Sequence, residues 1–271
     1  MILVELRKLL RRPRTWIVIL LIDALPTLVA VLLAITDLAP RPGAGPAFLS
    51  AVLSNGLLFP AAALAIVLPL FLPVSVAIVA GDSIAGEAQA GTLRYLLVRP
   101  AGRTRLLVAK LVAVVVFVAL AIVVVTVTAY FVGTSLFGSP PVGQSVASIS
   151  GTPLTAQQAV TRTLLAMAYV AFSMLGVAAV ALFLSTVTDS PLAAAMGALA
   201  FLVASSLLLT LDAAGALKPY LPTRYWLAFV DLFRQPILWR DVVRGVALQG
   251  VYLLVLLGAA WANFATKDVK S

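Results

Sequence analysis

The sequence predicts an all-α integral membrane protein. Three observations carry this. First, 62% of the 271 residues are hydrophobic and only 11% are charged, against about 45–50% and about 25% in soluble domains. Second, mean hydropathy is +1.11, which leaves too little polar surface to cover a soluble globule. Third, six apolar stretches are long enough to cross a bilayer, each about 20 residues or more. The same abundance of Leu, Val and Ile excludes a disordered chain.

The elements follow in chain order. Residues 1–14 predict an amphipathic helix, with Ile2, Leu3, Leu6, Leu9 and Leu10 on one face and Glu5, Arg7, Lys8, Arg11 and Arg12 around the rest. Such a helix lies in the headgroup plane, its basic side toward membrane lipid. Pro13 then permits a turn into the first span. The run that follows is of spanning length and lacks a small-x-small cleavage pattern, so it reads as a span and not as a cleaved signal.

Span one covers about 15–36 and contains one charge, Asp23. Span two covers about 48–80 without any charge and exceeds the roughly 30 Å core. It must therefore tilt, kink at Pro60, Pro69 or Pro73, or begin with a surface segment. Span three covers about 106–133, span four 163–186, span five 191–211 and span six 246–265. The uncharged Ser/Gly/Pro-rich stretch 134–158 reads as an irregular loop. Tyr220, Tyr225, Trp226, Phe229, Phe233 and Trp239 give 212–245 the character of short helices at or dipping into the interface. No internal repeat is apparent, and the chain reads as one transmembrane domain.

Orientation follows from Lys and Arg. With the N-terminus inside, twelve fall on inner segments and seven on outer ones. The bias places both termini in the cytoplasm. The net charge of +9 then reports cytoplasmic loops, not nucleic-acid binding. Cys and His are both absent. Disulfides, thiol nucleophiles, Ser-His triads and the usual zinc and haem ligand sets are thereby excluded. The Ala-, Val- and Arg-rich, Lys-poor composition is that of a high-GC bacterial source, which places the chain in a bacterial inner membrane.

The loop at 81–105 carries the informative pattern. Gly91 permits a sharp turn, and Leu93, Leu96 and Leu97 form an apolar stripe at helical spacing, flanked by Arg94 and Arg99. Pro100 ends that helix. The stripe rests either on lipid and neighbouring helices or in a groove on a partner protein.

The spacing G-E-x-x-x-G-T-L-x-x-L-L-x-x-P-x-x-R-x-x-L-L-x-x-K is present at Gly86, Glu87, Gly91, Thr92, Leu93, Leu96, Leu97, Pro100, Arg103, Leu106, Leu107 and Lys110. It resembles the coupling loop of ATP-binding-cassette (ABC) transporter permeases of the type-two export family. The ending Phe264-Ala265-Thr266-Lys267-Asp268-Val269 is similar to that family's usual ending. The resemblance implies a cytoplasmic coupling helix between spans two and three. It implies a permease subunit of an exporter that forms the translocation path as a dimer with an identical or related subunit. It also implies docking on two copies of a separate cytoplasmic P-loop ATPase, with Gly91, Thr92 and Leu93 at the turn entering the ATPase groove. Glu87 would link the loop to the N-terminal helix or its neighbours. On charge alone, Arg7 and Arg11 are its candidate partners.

No G-x-x-x-x-G-K-[ST] loop is present. ATP and Mg therefore belong to the partner ATPase, and this chain is a transport subunit, not an enzyme. A path lined by Ala, Val, Leu, Ser and Thr suits hydrophobic or amphiphilic cargo. The alternatives are a force-transmitting subunit for lipid or peptide extraction or for delivery to an outer partner, and, further off, a membrane scaffold or enzyme.

Three further sites stand out. Asp23 is an intramembrane carboxylate, either a structural partner of Arg162 or another chain, or a substrate contact. Ala193, Gly197 and Ala200 place small residues on one face of span five, beside Ala194 and Ala198. Such a face allows close helix approach, within the subunit or at the subunit interface; the resemblance favours the interface. Asp189 is placed to cap span five, and Gln249 and Asn263 to hydrogen-bond between helices.

Overall fold

The computed structural model describes residues 2–36, 56–92, 102–138, 146–148, 150 and 152–266. Eight α-helices are present among them. They are α1 (Ile2–Arg11), α2 (Pro13–Ile35), α3 (Phe59–Val67), α4 (Phe71–Gln89), α5 (Arg103–Phe137), α6 (Ala156–Val187), α7 (Pro191–Thr210) and α8 (Trp239–Thr266). Six of these, α2 and α4 to α8, are long and apolar enough to cross a membrane. The architecture is that of an all-α, multi-pass membrane protein. The strands described are two-residue pieces, β1 (Val146–Ala147) and β2 (Pro153–Leu154), paired antiparallel.

Local chemistry sets the boundaries. Pro13 sits in the first turn of α2, where its missing N–H costs nothing. The Trp16 indole donates to the Leu10 carbonyl at 2.8 Å and fixes the corner between α1 and α2. Thr155 and Gln158 form a capping box at the start of α6. Ser190, not Asp189, caps α7, accepting from the Ala193 amide at 3.3 Å.

The second apolar stretch is not one continuous helix. A 3-10 turn at Gly56–Leu58 leads into α3, the chain turns at 68–70, and α4 then runs to Gln89. The interruption falls at Pro69, which cannot donate within a helix. Residues 48–55 lie outside the described residues. Residues 81–89, at the start of the 81–105 segment, continue α4 up to the turn at Gly91, with Ile84 and Ala85 buried against the rest of the bundle. The other spans run past their apolar runs. α5 starts at Arg103 and ends at Phe137; α6 starts at Ala156 and α8 at Trp239.

α6 is the central helix, packing against α4, α5, α7 and α8. The core collects Phe59, Phe117, Phe229 and Phe233, all fully buried. By contrast α2 buries one face (Ile19, Ile22, Ala30) and exposes Leu20, Leu21, Leu28 and Leu32. At one end of the bundle α3 meets α5 backbone to backbone. A Cβ on Gly56 would run into the carbonyl of Gly133, and the Gly56 amide donates to the Gly138 carbonyl at 3.1 Å.

At that same end the 211–238 connection forms 3-10 helices at Asp212–Ala214, Lys218–Tyr220 and Trp226–Phe233. Its apex lies beside Gln249, ten residues past the start of α8, or about 15 Å along the helix. Irregular backbone at such depth must find its partners in protein. Gln249 donates to the Pro222 carbonyl at 2.6 Å, and Tyr169 to the Tyr225 carbonyl at 2.6 Å. The Ser205 and Thr223 hydroxyls are 2.8 Å apart. Gln249 thus bonds the connection instead of another helix, whereas Asn263 of α8 donates to Thr186 of α6 at 3.0 Å.

Candidate functional site

The buried ion pairs of the bundle lie at the opposite end, where α4 leaves the core. Glu5, Lys8 and Arg12 recur at spacings of three and four and lie on one side of the N-terminal segment. Leu9, on that same side, is the buried residue of α1. The helix is therefore turned so that part of its charge faces protein.

Glu87 of α4 and Lys110 of α5 form the node. Both are more than nine-tenths buried. The Lys110 ammonium bonds Glu87 Oε1 and reaches Glu5 Oε2 of α1 at 3.0 Å. Lys8 of α1 donates to the same Glu87 oxygen at 3.0 Å. Two carboxylates and two ammonium groups thus alternate across three helices. Buried charge is tolerated only when it is paired in this way. Glu87 Oε2 is buried without a hydrogen-bond partner, so the carboxylate leans on one oxygen.

The partners of Glu87 are Lys8 and Lys110, not the expected Arg7 or Arg11. Lys8 takes that role because it is three residues from Glu5 on the face that α1 turns inward. Lys8 and Arg12 are consequently engaged with protein. Arg12 reaches Asp82 Oδ2 at 3.4 Å, and Arg14 reaches the same atom at 3.8 Å.

The end of α4 is closed by a Schellman motif. Gly91 has φ +65°, which a residue with a Cβ adopts at a cost. The Gly91 amide donates to the Ala88 carbonyl at 3.0 Å and the Thr92 amide to the Glu87 carbonyl at 3.0 Å. The Thr92 hydroxyl adds a third bond to the Glu87 carbonyl at 3.2 Å. Gly86 lies under the Asp82 side chain: a Cβ there would come about 2.5 Å from the carboxylate, which would have to swing aside. The four residues Gly86, Glu87, Gly91 and Thr92 therefore build one cap. On its far side, Arg103 at the start of α5 donates to the carbonyls of Phe264 and Ala265 at 3.3 and 2.8 Å. This satisfies the end of α8.

The remaining expected residues are placed as follows. Leu93, Arg94, Leu96 and Leu97 lie outside the described residues, as do Lys267, Asp268 and Val269. Asp23 is half-buried in α2 with Oδ1 lacking a partner. Thr128 of α5 is a polar neighbour of its carboxyl. It does not pair with Arg162, whose guanidinium donates to the Arg234 carbonyl at 2.9 Å. On α7, Ala194, Ala195, Ala198, Leu202 and Ser205 are buried, while Ala193 and Ala200 are exposed and Gly197 lies against Leu184. The face that packs within the chain is thus one residue out of register with the Ala193, Gly197, Ala200 stripe.

Three contributors escape a sequence reading. Asp82 looks like a loop residue. Ser185, wholly buried on α6, bonds the backbone of α4 at Gly81, Ile84 and Ala85. Lys110 looks like a marker of membrane entry, although it lies seven residues inside a helix of 35, and that depth was the available signal. Among the described residues no three Asp, Glu, His or Cys side chains gather as a metal site requires. The chemistry of the node is ion pairing.

A family described as a protein of unknown function (DUF2705) matches residues 44–269. The chain belongs to this family. The DUF2705 match takes in Asp82, Glu87 and Lys110 but begins after α1 and α2, so Glu5 and Lys8 lie outside it. No curated protein matches the chain.

Proposed function

We propose that this chain is the permease subunit of an ABC exporter. In this reading the 93–101 connection is the coupling segment on which a separate cytoplasmic P-loop ATPase docks, two copies of the ATPase serving two permease subunits. ATP and Mg are bound by the ATPase, and this chain performs no hydrolysis. The observation that carries the proposal is the position of Glu87. It lies at the base of the connection, inside the motif that resembles the family's, and it is paired to both α1 and α5. A displacement imposed on the connection would reach two neighbouring helices through that one carboxylate.

The rest of the reading follows from the membrane. α1 lies along the cytoplasmic surface of a bacterial inner membrane, both termini are cytoplasmic, and the 211–238 connection faces outward. The second permease subunit packs against the exposed faces of α2 and α7, where Leu20, Leu21, Leu192 and Met196 are uncovered. Cargo is hydrophobic or amphiphilic.

The test is co-purification of the full chain in mild detergent. A P-loop ATPase should accompany the native chain and be lost from the Leu93→Glu, Leu96→Glu variant. A native chain that purifies alone or with a non-ATPase partner rejects the proposal.

A further inference from the structure

We propose that the cavity bounded by α1, α2, α4 and α5 binds one glycerophospholipid whose headgroup carries both a phosphate and a primary ammonium. The inference does not rest on the exporter reading; it requires only that the spans lie in a bilayer.

The cavity has a volume of about 330 Å³, at the lower end of small-molecule sites, which run from about 300 to 1,000 Å³. It holds a headgroup and glycerol but not two acyl chains. The lining includes the apolar Val18, Val79 and Val114 and the charged Arg12, Arg14 and Asp82. Arg12 and Arg14 flank Pro13 at the very start of a span, the level at which headgroups meet the apolar core. An acyl chain entering over the valines would continue along the exposed face of α2.

The charged lining is under-satisfied in a particular way. Two guanidinium groups share one oxygen of Asp82, at 3.4 and 3.8 Å. Both distances exceed the roughly 2.7–2.9 Å of a tight charge-assisted bond. Each guanidinium has five N–H donors, and the two side chains are 48% and 60% exposed. A phosphodiester supplies the several acceptor oxygens that a pair of guanidiniums matches.

Asp82 decides the rest of the headgroup. Its side chain is 27% exposed, and it would face a purely anionic lipid with like charge. An ammonium beside the phosphate turns that repulsion into a third contact. Lys8, Lys110, Glu5 and Glu87 also line the cavity but neutralise one another. The order of available charge, two cations and then one anion, is therefore that of a phosphate followed by an ammonium.

Native mass spectrometry of the full chain in detergent tests this. Phosphatidylethanolamine, phosphatidylglycerol and phosphatidylcholine would be titrated separately. One phosphatidylethanolamine should bind about tenfold more tightly than either other lipid, the difference that a charge-assisted contact makes. Arg12→Gln with Arg14→Gln should abolish the tight site and leave weak, multiple lipid binding unchanged. Asp82→Asn should bring phosphatidylethanolamine and phosphatidylglycerol to equal affinity. Arg14→Gln alone, on the more exposed side chain, keeps the test open should the double variant aggregate, and it should weaken the site several-fold. Equal binding of the three lipids by the native chain overturns the proposal. So does retention of the tight site by Arg14→Gln, or displacement of the lipid by millimolar inorganic phosphate.

Discussion

The hydroxyl of Ser185 on α6 donates to the carbonyl of Gly81 on α4 at 2.7 Å and accepts from the amides of Ile84 and Ala85 at 3.1 and 2.9 Å. One small side chain thus grips a full turn of a neighbouring helix. It does so where Gly81 brings α4 close to Ala195 of α7; a Cβ at Gly81 would lie 3.0 Å from the Ala195 amide nitrogen. Replacing Ser185 by Ala should lower stability by about 1 kcal/mol, the ordinary worth of such a bond. Thermal unfolding in detergent measures it. An unchanged midpoint would mean that the ladder of α4 alone satisfies these groups.

Lys110 is shared by Glu5 and Glu87. Lys110→Met leaves Glu87 buried with Lys8 as its remaining partner, and should cost about 3–5 kcal/mol. Adding Glu87→Gln should recover part of the loss, because the orphaned charge is then gone. The order of the two unfolding midpoints is the measurement. A double variant less stable than Lys110→Met by the full effect of Glu87→Gln alone would show that the two residues act independently.

Gly56 and Gly133 meet without room for a methyl group. Gly56→Ala should therefore destabilise by about 1–3 kcal/mol, the range for overpacking. Gly258→Ala is the contrasting case, since nothing lies within 4 Å of a Cβ there. It should be neutral, or stabilising by up to about 1 kcal/mol, because alanine is the better helix former. Equal effects of the two substitutions in unfolding experiments would contradict the close approach.

Gln249 and Tyr169 hold the apex of the 211–238 connection through two backbone carbonyls. Gln249→Leu strands the Pro222 carbonyl and should cost about 1–3 kcal/mol. The connection should also become more susceptible to protease than in the native chain, while cleavage elsewhere stays the same. Cleavage that rises uniformly along the chain would instead mark a loss of the whole fold.

Hydropathy made the six crossings legible because each contains a long, mostly apolar run. It could not place their ends. α5 and α6 continue for a turn or more through Arg103, Thr155 and Phe137, where capping and packing, not apolarity, decide. The break at Pro69 was one of three prolines available, and only the packing of α3 on α5 through Gly56 singles it out. At the node, Glu87 stood out by its motif, but its partners did not. Choosing Lys8 over Arg7 or Arg11 requires knowing which way α1 is rolled, and that is set by burial of Leu9. Ser185 carried no signal at all, since a serine in an apolar helix reads the same whether it bonds its own helix or another.

The crossing broken at 68–70 has a mechanical consequence. α5 is an unbroken rod of 35 residues, about 52 Å long. Beside it α3 and α4 cover the same distance as a rod with an elbow. The pair is pinned together at both ends, by Lys110 and Glu87 at one and by Gly133 and Gly56 at the other. A tilt applied at the Lys110 end cannot be shared equally by two such members. The stiff one swings whole, the jointed one folds at its elbow, and the mismatch appears as shear between α3 and α5, beside Gly56, about 35 Å from where the tilt began.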